Sequence, residues 1–336
     1  MTKIAILGSG SWGTALAVIL SRSPRQPEIT LWSRDPEFAA TLSRDRENKT
    51  YLPSCAIPKS VTIAANIGAT LHDSSIVISA IPSAHVRKIF TQATEHLPTN
   101  ATIVSATKGL EPETHLRMSE LLKALMAKIP ERQIAVLSGP SFAAEAARGE
   151  PTAVVVASPS AAIATQLQDE FAAPNFRLYA NDDVLGVELA GAMKNVIAIA
   201  AGACQGLGLG SNAVAALVTR GLAEISRLAA ALGAKPETMS GLAGLGDLVL
   251  TCTGNLSRNR QVGFELGSGR QLPEILANMR MVAEGVGTTA PLLALAREHH
   301  VDLPITSQVD AILHHALPPR DAIRAIMDRP QKRESP

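Results

Sequence analysis

The stretch KIAILGSGSWGTALA, residues 3–17, decides the fold of this chain. An apolar run, residues 4–7, stops at a glycine-rich turn, and helix-forming residues follow directly. This order of strand, glycine turn and helix is the context in which a GxGxxG pattern indicates dinucleotide binding. Gly8 permits the tight turn, Gly10 lets backbone N–H groups approach a pyrophosphate, and Gly13 lets helix and strand pack closely. An ordinary glycine turn is the alternative interpretation.

Length and composition favour a soluble protein of two domains. A chain of 336 residues is too long for one small core. Because its formal net charge is only +1, it lacks the basic excess that nucleic acid or an anionic membrane requires. We therefore expect its partners to be small molecules or copies of itself, as in a homodimer, with no nucleic acid and no membrane insertion.

The cysteine and histidine patterns are typical of an intracellular protein without a metal. The three cysteines lie far apart without CxxC spacing, which favours reduced thiols, and the eight histidines show no metal-ligand spacing. No signal peptide is expected, because glycine interrupts the first apolar run after residue 7. The most membrane-like stretch, residues 184–204, contains Glu188 and Lys194, which favours a buried helix of a soluble domain. We predict a cytoplasmic location and no metal site.

Strand-like runs alternate with helical patterns over the first half of the chain. This alternation predicts an α/β domain with a doubly wound, mostly parallel, Rossmann-like sheet. From residue 181 the strand signal almost disappears and long helical patterns take over. We predict a dinucleotide-binding domain at residues 1–180, an all-helical substrate domain at 181–330 and a disordered tail at 331–336. The predicted strands are residues 4–7, 29–32, 75–80, 102–105, 134–137, 152–157 and 176–179, and the main predicted helices after the first are 111–128, 183–202 and 213–232.

The second predicted strand ends in Ser33-Arg34-Asp35-Pro36. Dinucleotide folds contact the adenosine ribose at this strand end, where an acidic residue favours the free 2′-hydroxyl of NAD. Arg34 instead suits the 2′-phosphate of NADP, although a solvated surface arginine is the alternative. Asp35 fits better as a helix N-cap followed by proline at the first helical position.

Three polar or glycine positions follow later strands of the predicted sheet. Ligands of open α/β sheets bind outside the carboxyl ends of the strands. Lys108, Gly139 and Ser141 follow two such strands, so we expect them to face one crevice. An exposed loop lysine is the alternative for Lys108.

Lys194 is unusual because its predicted helix is almost entirely apolar. Its neighbours one turn away include Ala190, Gly191 and Ala198, which leave room beside the amine. Desolvation would lower the pKa of such an amine and suit it to proton transfer near neutrality. The alternative is a lysine whose stem reaches along the helix to water.

A second cluster lies in residues 244–260. Asp247 could cap a short helix. Ser257-Arg258-Asn259-Arg260 resembles a helix start, yet two arginines in a first turn oppose the helix dipole. A bound anion would reverse that penalty, which predicts a substrate phosphate site. Residues 281–289 look like a turn before a helix whose N-cap is Thr288 or Thr289.

Together these segments resemble one family, the bacterial NAD(P)-dependent glycerol-3-phosphate dehydrogenases. They occur in the family's order and extend over nearly the whole chain, as far as residue 328. Met193 stands where leucine is expected, a conservative change in the core. The matching segments are GSGSWGTA (8–15), ATKG (106–109), SGPSFA (138–143), ELAGAMKN (188–195), GLGDL with the trailing LSRNR (244–260) and VAEGVGTT (282–289).

The resemblance implies reversible reduction of dihydroxyacetone phosphate to sn-glycerol 3-phosphate, a phospholipid precursor, with NADP(H) or NAD(H) as cofactor. It implies that Lys194 is the proton donor and acceptor and that Lys108 binds substrate beside the nicotinamide. The implied substrate contacts are Lys108, Gly139, Ser141, Lys194, Asp247, Ser257, Arg258 and Asn259. With the glycines of the turn, the cofactor contacts are Gly8, Gly10, Ser11, Trp12, Gly13, Arg34, Lys108, Ala143, Arg258, Val282 and Glu284.

The expected mechanism is direct hydride transfer to the C2 carbonyl. Lys194 protonates the developing alkoxide, Lys108 polarises the carbonyl, and Asp247 orients Lys194 or a substrate hydroxyl. The phosphate at Arg258 supplies binding energy remote from the reacting carbon. The alternatives are a related two-domain dehydrogenase acting on a hydroxy acid or ketopantoate, and a non-catalytic NADPH-binding protein.

Overall fold

The structure is a computed structural model, and it describes residues 1–126, 129–130, 133–331 and 333–334. Residues 127–128, at the end of the predicted helix 111–128, lie outside the described residues. So do residues 332, 335 and 336 of the predicted tail.

Short runs of buried aliphatic residues form a central sheet in the first half of the chain. The strands described are β1 (Lys3–Leu7), β2 (Glu28–Trp32), β3 (Glu47–Asn48), β4 (Leu52–Ala56), β5 (Val61–Ala64), β6 (Ile76–Ser79), β7 (Thr102–Ser105), β8 (Ile134–Ser138), β9 (Thr152–Ala157) and β10 (Phe176–Asn181). The sheet has the order β10-β9-β8-β7-β6-β1-β2-β5, and its neighbouring strands are parallel except β8 and β9. The predicted doubly wound, mostly parallel sheet is therefore confirmed.

The strand order places the glycine turn at the centre of the sheet. From β1 the chain proceeds outward through β2 to β5 and then crosses back to β6 on the other side. The turn after β1 thus lies where the order reverses, which is where open α/β sheets bind ligands. The hairpin of β3 and β4 stands apart from this sheet. Our prediction missed β3, β4 and β5, because they are short and mix polar residues with apolar ones.

Helices cover both faces of the sheet and then form a second body of their own. Helices α1, α6 and α7 pack on one face, and α3, α4 and α5 on the other. The helices between strands are α1 (Ser11–Leu20), α2 (Pro36–Asp45), α3 (Ile67–Leu71), α4 (Ser83–Ala93), α5 (Met118–Leu125), α6 (Ala143–Arg148) and α7 (Ala161–Glu170). Those that follow are α8 (Val184–Gly206), α9 (Ser211–Ala231), α10 (Pro236–Ser240), α11 (Asp247–Thr253), α12 (Arg258–Gly267), α13 (Leu272–Ala277), α14 (Glu284–Glu298), α15 (Pro304–His314) and α16 (Pro319–Met327), with a π-helical turn at Leu242–Gly246.

Helix α8 is the centre of the second core. Among the described residues it is the one helix long and apolar enough to cross a membrane, but 83% of its most apolar stretch of 18 residues is buried inside the structure. That burial is typical of the core helix of a globular protein, as we predicted for residues 184–204. Asp183 is the N-cap of α8, since its side chain accepts a hydrogen bond from Gly186 N at 2.9 Å.

Two sequence predictions about helix starts are wrong. Helix α5 begins at Met118 instead of residue 111, because Glu111 is held by the Arg87 guanidinium through two hydrogen bonds of 2.6 Å. Helix α14 begins at Glu284, so Thr288 lies inside it and donates its hydroxyl to Glu284 O at 2.6 Å. Neither Thr288 nor Thr289 is an N-cap.

Candidate active site

The glycine turn after β1 is packed as its sequence predicts. Gly8 has φ +115°, and a Cβ there would lie 2.6 Å from Ala80 O, just after the neighbouring strand β6. A Cβ on Gly13 would lie 1.9 Å from Gly8 O, so helix α1 and strand β1 approach closely only because Gly13 lacks one. Both glycines are required by the protein's own packing.

Gly10 differs, because nothing in the protein lies within 4 Å of the Cβ it lacks. It is the N-cap of α1, and no side chain caps the first turn. The free N–H groups of that turn and the open space at Gly10 fit a pyrophosphate group. Ser11 and Trp12 are the first residues of the helix and are partly buried. The residues present therefore fit a dinucleotide.

At the end of β2, the structure separates the roles of Arg34 and Asp35. The Asp35 carboxylate accepts hydrogen bonds from Glu37 N at 2.9 Å and Phe38 N at 3.3 Å, so it is the N-cap of α2, as predicted. Arg34 is exposed beside it. Its guanidinium is thus the group at this strand end that can meet a ligand.

Asp247 holds two lysines that come from different parts of the fold. Lys108 follows β7, and its Nζ lies 2.5 Å from Asp247 Oδ2. Lys194 projects from α8, and its Nζ lies 2.6 Å from Asp247 Oδ1. The Asp247 carboxylate therefore does not cap α11, although the residue begins that helix. The Lys194 side chain is only 7% exposed, which excludes the alternative of a stem reaching to water.

Burial dominates the electrostatics of Lys194. Desolvation lowers the pKa of Lys194 to about 7, an effect that the negative charge of Asp247 opposes and the positive charge of Lys108 strengthens. For Asp247, burial alone would raise the pKa, but the two lysines outweigh it and hold the pKa below its ordinary value. The cluster thus contains a stable carboxylate and an amine that titrates near neutrality.

Thr251 completes the environment of Lys194 and was missed by the sequence analysis. Lys194 Nζ donates to Thr251 Oγ1 at 2.7 Å, and that hydroxyl donates to Asp247 O at 2.6 Å. Asp247 and Thr251 are four residues apart on α11 and so lie on one face. That spacing was the signal available in the sequence.

Gly139 and Ser141 join the lysine cluster, as the strand-end argument predicted. Lys108 Nζ donates to Gly139 O at 3.1 Å, and Ser141 Oγ donates to the same carbonyl at 2.9 Å. A Cβ added to Gly191 of α8 would lie 3.7 Å from the Lys108 stem. The crevice therefore lies between the strand ends and α8.

The two arginines at the start of α12 have different partners. Ser257 is the N-cap and accepts a hydrogen bond from Arg260 N at 3.2 Å. Arg260 donates to Gly254 O at 3.0 Å, to Asn255 Oδ1 at 2.7 Å and to Gln205. Arg258 is exposed and has no hydrogen-bond partner among the described residues. Of the two, Arg258 is the one whose guanidinium is free to bind an anion.

Asn259 belongs to a hydrogen-bonded chain that links three helices. Its Nδ2 donates to Asn195 Oδ1 at 2.9 Å, and its Oδ1 accepts from Gly285 N at 2.9 Å. Asn195 follows Lys194 on α8, and Gly285 lies in the first turn of α14. The contact with Asn195 was not predicted, because the two residues are 64 positions apart.

Glu284 connects α14 to the start of α4 across the crevice. Its carboxylate accepts from Ser83 Oγ at 2.6 Å and from Ser83 N at 3.3 Å. A Cβ on Gly109, next to Lys108, would lie 3.4 Å from Glu284 Oε2. Desolvation raises the pKa of Glu284, although Ser83 and Arg258 lower it. Glu284 therefore lies near both Lys108 and Arg258.

The remaining predicted cofactor residues lie at the margins of this crevice. Ala143 begins α6, which packs beside α1. Val282 is 49% exposed in the segment before α14. Among the described residues, its backbone makes no hydrogen bond to the lysine cluster. No group of three or more histidine, cysteine or acidic side chains that could hold a metal occurs in the described residues.

Known proteins resemble this chain over nearly its whole length. The family described as NAD-dependent glycerol-3-phosphate dehydrogenase matches through its N-terminus at residues 3–164 and through its C-terminus at residues 183–324. The chain is 52% identical to a glycerol-3-phosphate dehydrogenase (NAD(P)+) of Koribacter versatilis, over 99% of both chains. The crystal structure of glycerol-3-phosphate dehydrogenase from Coxiella burnetii is similar with a TM-score of 0.93 and 40% identity, covering 98% of this chain and 99% of that one. A ketopantoate reductase from Ralstonia eutropha, with a TM-score of 0.62 and 15% identity over 96% of this chain and all of that one, shares the fold alone.

Proposed function

The chain belongs to the NAD-dependent glycerol-3-phosphate dehydrogenase family, and from that premise we propose which of its side chains perform each part of the reaction. The reaction is the NAD(P)H-dependent, reversible reduction of dihydroxyacetone phosphate to sn-glycerol 3-phosphate, which supplies phospholipid synthesis. The observation that carries the proposal is the position of two ammonium groups on one carboxylate, 2.5 and 2.6 Å from the Asp247 oxygens.

The two lysines act on the oxygen at C2 of the substrate. When bound, the dinucleotide supplies the hydride that C2 accepts. Lys194 donates a proton to the developing alkoxide, and its pKa of about 7 lets it give and take that proton near neutrality. Lys108 hydrogen-bonds the carbonyl and polarises it. Asp247 keeps both amines in place.

Arg258 binds the substrate phosphate, with Ser257 and Asn259 beside it. The free guanidinium at the start of α12 supports this assignment, because the helix dipole and the first-turn N–H groups that Ser257 does not cap also favour an anion. Gly139 and Ser141 contact the rest of the substrate beside Lys108. Phosphate binding far from C2 contributes energy that positions the carbonyl.

The glycine turn and the residues around it hold the cofactor. The open space around the Cβ position of Gly10 supports a pyrophosphate there. The exposed guanidinium of Arg34 supports contact with the 2′-phosphate of NADP(H). NAD(H) lacks that phosphate and would bind without this contact. The proposed cofactor residues are Gly8, Gly10, Ser11, Trp12, Gly13, Arg34, Lys108, Ala143, Arg258, Val282 and Glu284.

We extend the proposal to the organisation of the molecule: a dinucleotide-binding domain at residues 1–180, a helical domain at 181–330, a cytoplasmic location and a homodimer. The domain division is supported by the end of β10 at Asn181 and the start of α8 at Val184. Sedimentation velocity tests the dimer, since a monomer at micromolar concentration would contradict it.

The first experiment measures nicotinamide absorbance after dihydroxyacetone phosphate is added to the enzyme, in parallel assays with NADPH and with NADH. Lys194→Ala should lower turnover at least a hundredfold, because general acid catalysis contributes on the order of 10²–10⁴. NADPH binding should survive. Lys235→Ala is the matched control, since Lys235 pairs with Asp182 on the surface and should leave turnover unchanged. Near-normal turnover of the Lys194 variant would refute the proton-transfer role.

A further inference from the structure

A buried asparagine outside the proposed site is bound to the glycine turn. Asn48 lies on β3 and is fully buried. Its Nδ2 donates to Ser9 O at 2.9 Å and to Thr14 Oγ1 at 2.8 Å. Its Oδ1 accepts from Tyr51 N at 3.0 Å. The side chain therefore joins the hairpin, the turn after β1 and the helix that follows.

The chemistry of these partners sets the orientation of the amide. A backbone carbonyl such as that of Ser9 can only accept a hydrogen bond, and the N–H of Tyr51 can only donate one. The NH₂ group of Asn48 must therefore face the glycine turn. Both its hydrogens are used, so the buried amide is satisfied.

The hairpin that carries Asn48 is itself firmly anchored. Arg46 donates to Val61 O at 2.8 Å and to Ile57 O at 3.2 Å, and it also contacts Pro58 O. Leu52 of β4 is buried in the core beneath α1. Because the hairpin is fixed at both ends, its hydrogen bonds restrain the turn.

We infer that Asn48 is a positioning residue for the dinucleotide, an inference that rests on the proposed cofactor site. The Ser9 carbonyl lies between two glycines, where the backbone is otherwise free to adopt many conformations. By holding that carbonyl and the Thr14 hydroxyl, Asn48 keeps the first N–H groups of α1 aimed at the pyrophosphate. Preorganisation of this kind raises affinity because less freedom is lost on binding.

The test is the affinity for NADPH, measured by fluorescence titration without substrate. Asn48→Asp has nearly the same shape but sets carboxylate oxygens against the Ser9 carbonyl, so the Kd should rise about tenfold or more. Thr14→Val removes one of the two acceptors and should raise the Kd about twofold to fivefold. In both variants the KM for NADPH should rise, whereas kcat and the KM for dihydroxyacetone phosphate should remain those of the wild type.

Leu167→Ala serves as the control for general destabilisation. Leu167 is buried on α7 and makes no hydrogen bond to the turn, so its loss should weaken the domain and leave the Kd unchanged. Folded Asn48→Asp and Thr14→Val that bind NADPH as tightly as the wild type would overturn the inference. If Asn48→Asp fails to fold, the Thr14 variant decides. Equal weakening by Leu167→Ala would also overturn it, whereas a wild-type enzyme that binds no NADPH would refute the cofactor site itself.

Discussion

At the residue scale, the buried amine of Lys194 sets how the rate should depend on pH. Desolvation lowers its pKa to about 7. Ketone reduction needs the ammonium form, so kcat/KM for dihydroxyacetone phosphate should fall as the pH rises through about 7. Oxidation of glycerol 3-phosphate needs the neutral amine, so its kcat/KM should rise over the same interval. Initial rates in both directions between pH 5 and pH 9, or roughly two units on either side of this pKa, would show the fall of kcat/KM for reduction and its rise for oxidation.

Asp247→Asn provides the matching control for this pH dependence. The negative charge of Asp247 raises the pKa of Lys194. Its removal should therefore shift the pH dependence of kcat/KM to lower pH in both directions of the reaction. The turnover should also fall, because Lys108 loses the same partner. If the pH dependence of kcat/KM does not shift in this variant, the titrating group is not Lys194.

A second residue-scale prediction separates Arg258 from Arg260. Arg258→Ala should raise the KM for dihydroxyacetone phosphate about tenfold to a hundredfold, because charged hydrogen bonds contribute roughly 1.5–3 kcal/mol. Activity on dihydroxyacetone, which has no phosphate, should change much less. Arg260→Ala should instead lower stability, since Arg260 bonds to Gly254 and Asn255, and should keep the preference for the phosphorylated substrate. Equal loss of activity on both substrates in the Arg258 variant would count against the phosphate site.

At the scale of elements, glycines set how closely α8 and α12 approach. A Cβ on Gly202 of α8 would lie 1.9 Å from Arg260 O, and one on Gly263 of α12 would lie 1.9 Å from Ile199 O. The backbones of the two helices are therefore almost in contact. This close packing fixes the start of α12, where Arg258 lies, relative to Lys194 on α8.

Gly263→Ala should destabilise the enzyme, because the helices must separate to admit the methyl group. The cost should be about 1–3 kcal/mol, as for other overpacked cores. Gly287→Ala is the matched control: it lies inside α14 with nothing within 4 Å of its missing Cβ. It should gain about 0.5–1 kcal/mol from helix propensity. Urea denaturation of both variants would measure the difference, and equal stabilities would contradict the packing argument.

At the scale of the whole molecule, side chains tie the helical part to the sheet part on both sides of α8. Besides Lys108 with Asp247 and Ser83 with Glu284, a third tie involves Glu188 of α8. Its carboxylate accepts from Arg117 Nη1 at 2.7 Å, from Ser119 N at 2.7 Å and from Ser119 Oγ at 2.6 Å. Glu188 thus caps the start of α5, beneath the other face of the sheet, and burial raises its pKa against the effect of Arg117.

Arg117→Ala should destabilise the whole enzyme, because it leaves the Glu188 carboxylate buried without its cation. Such losses cost about 3 kcal/mol or more. The control is Arg148→Ala, which breaks a pair with Glu150 in which both side chains are about half exposed. Exposed pairs contribute less than about 1 kcal/mol. Thermal unfolding followed by circular dichroism would compare the stabilities of the two variants. A loss of stability in Arg117→Ala no larger than in Arg148→Ala would contradict a stabilising role for the Arg117–Glu188 pair.

The sequence by itself determined the features that depend on neighbours along the chain. The glycine turn, the alternation of strands and helices, the caps at Asp35 and Ser257 and the apolar helix around Lys194 all follow from local spacing. The ordered motifs also identified the family. Where local patterns were weak or ambiguous, as at residue 111 and at Thr288, the predicted helix starts were wrong. Contacts from other elements hold Glu111 and the true start of α14 at Glu284, and those contacts are not visible in local spacing.

Only the tertiary structure decided which distant side chains meet. Lys108 and Asp247 are 139 positions apart, and no periodicity relates them. Arg258 and Arg260 look alike in sequence, yet one is free and the other is bound by its own loop. Asn48 gave no signal at all, because its partners at the glycine turn are brought to it by the hairpin. Such pairings depend on how helices and strands pack in space, and that packing is set by the core as a whole.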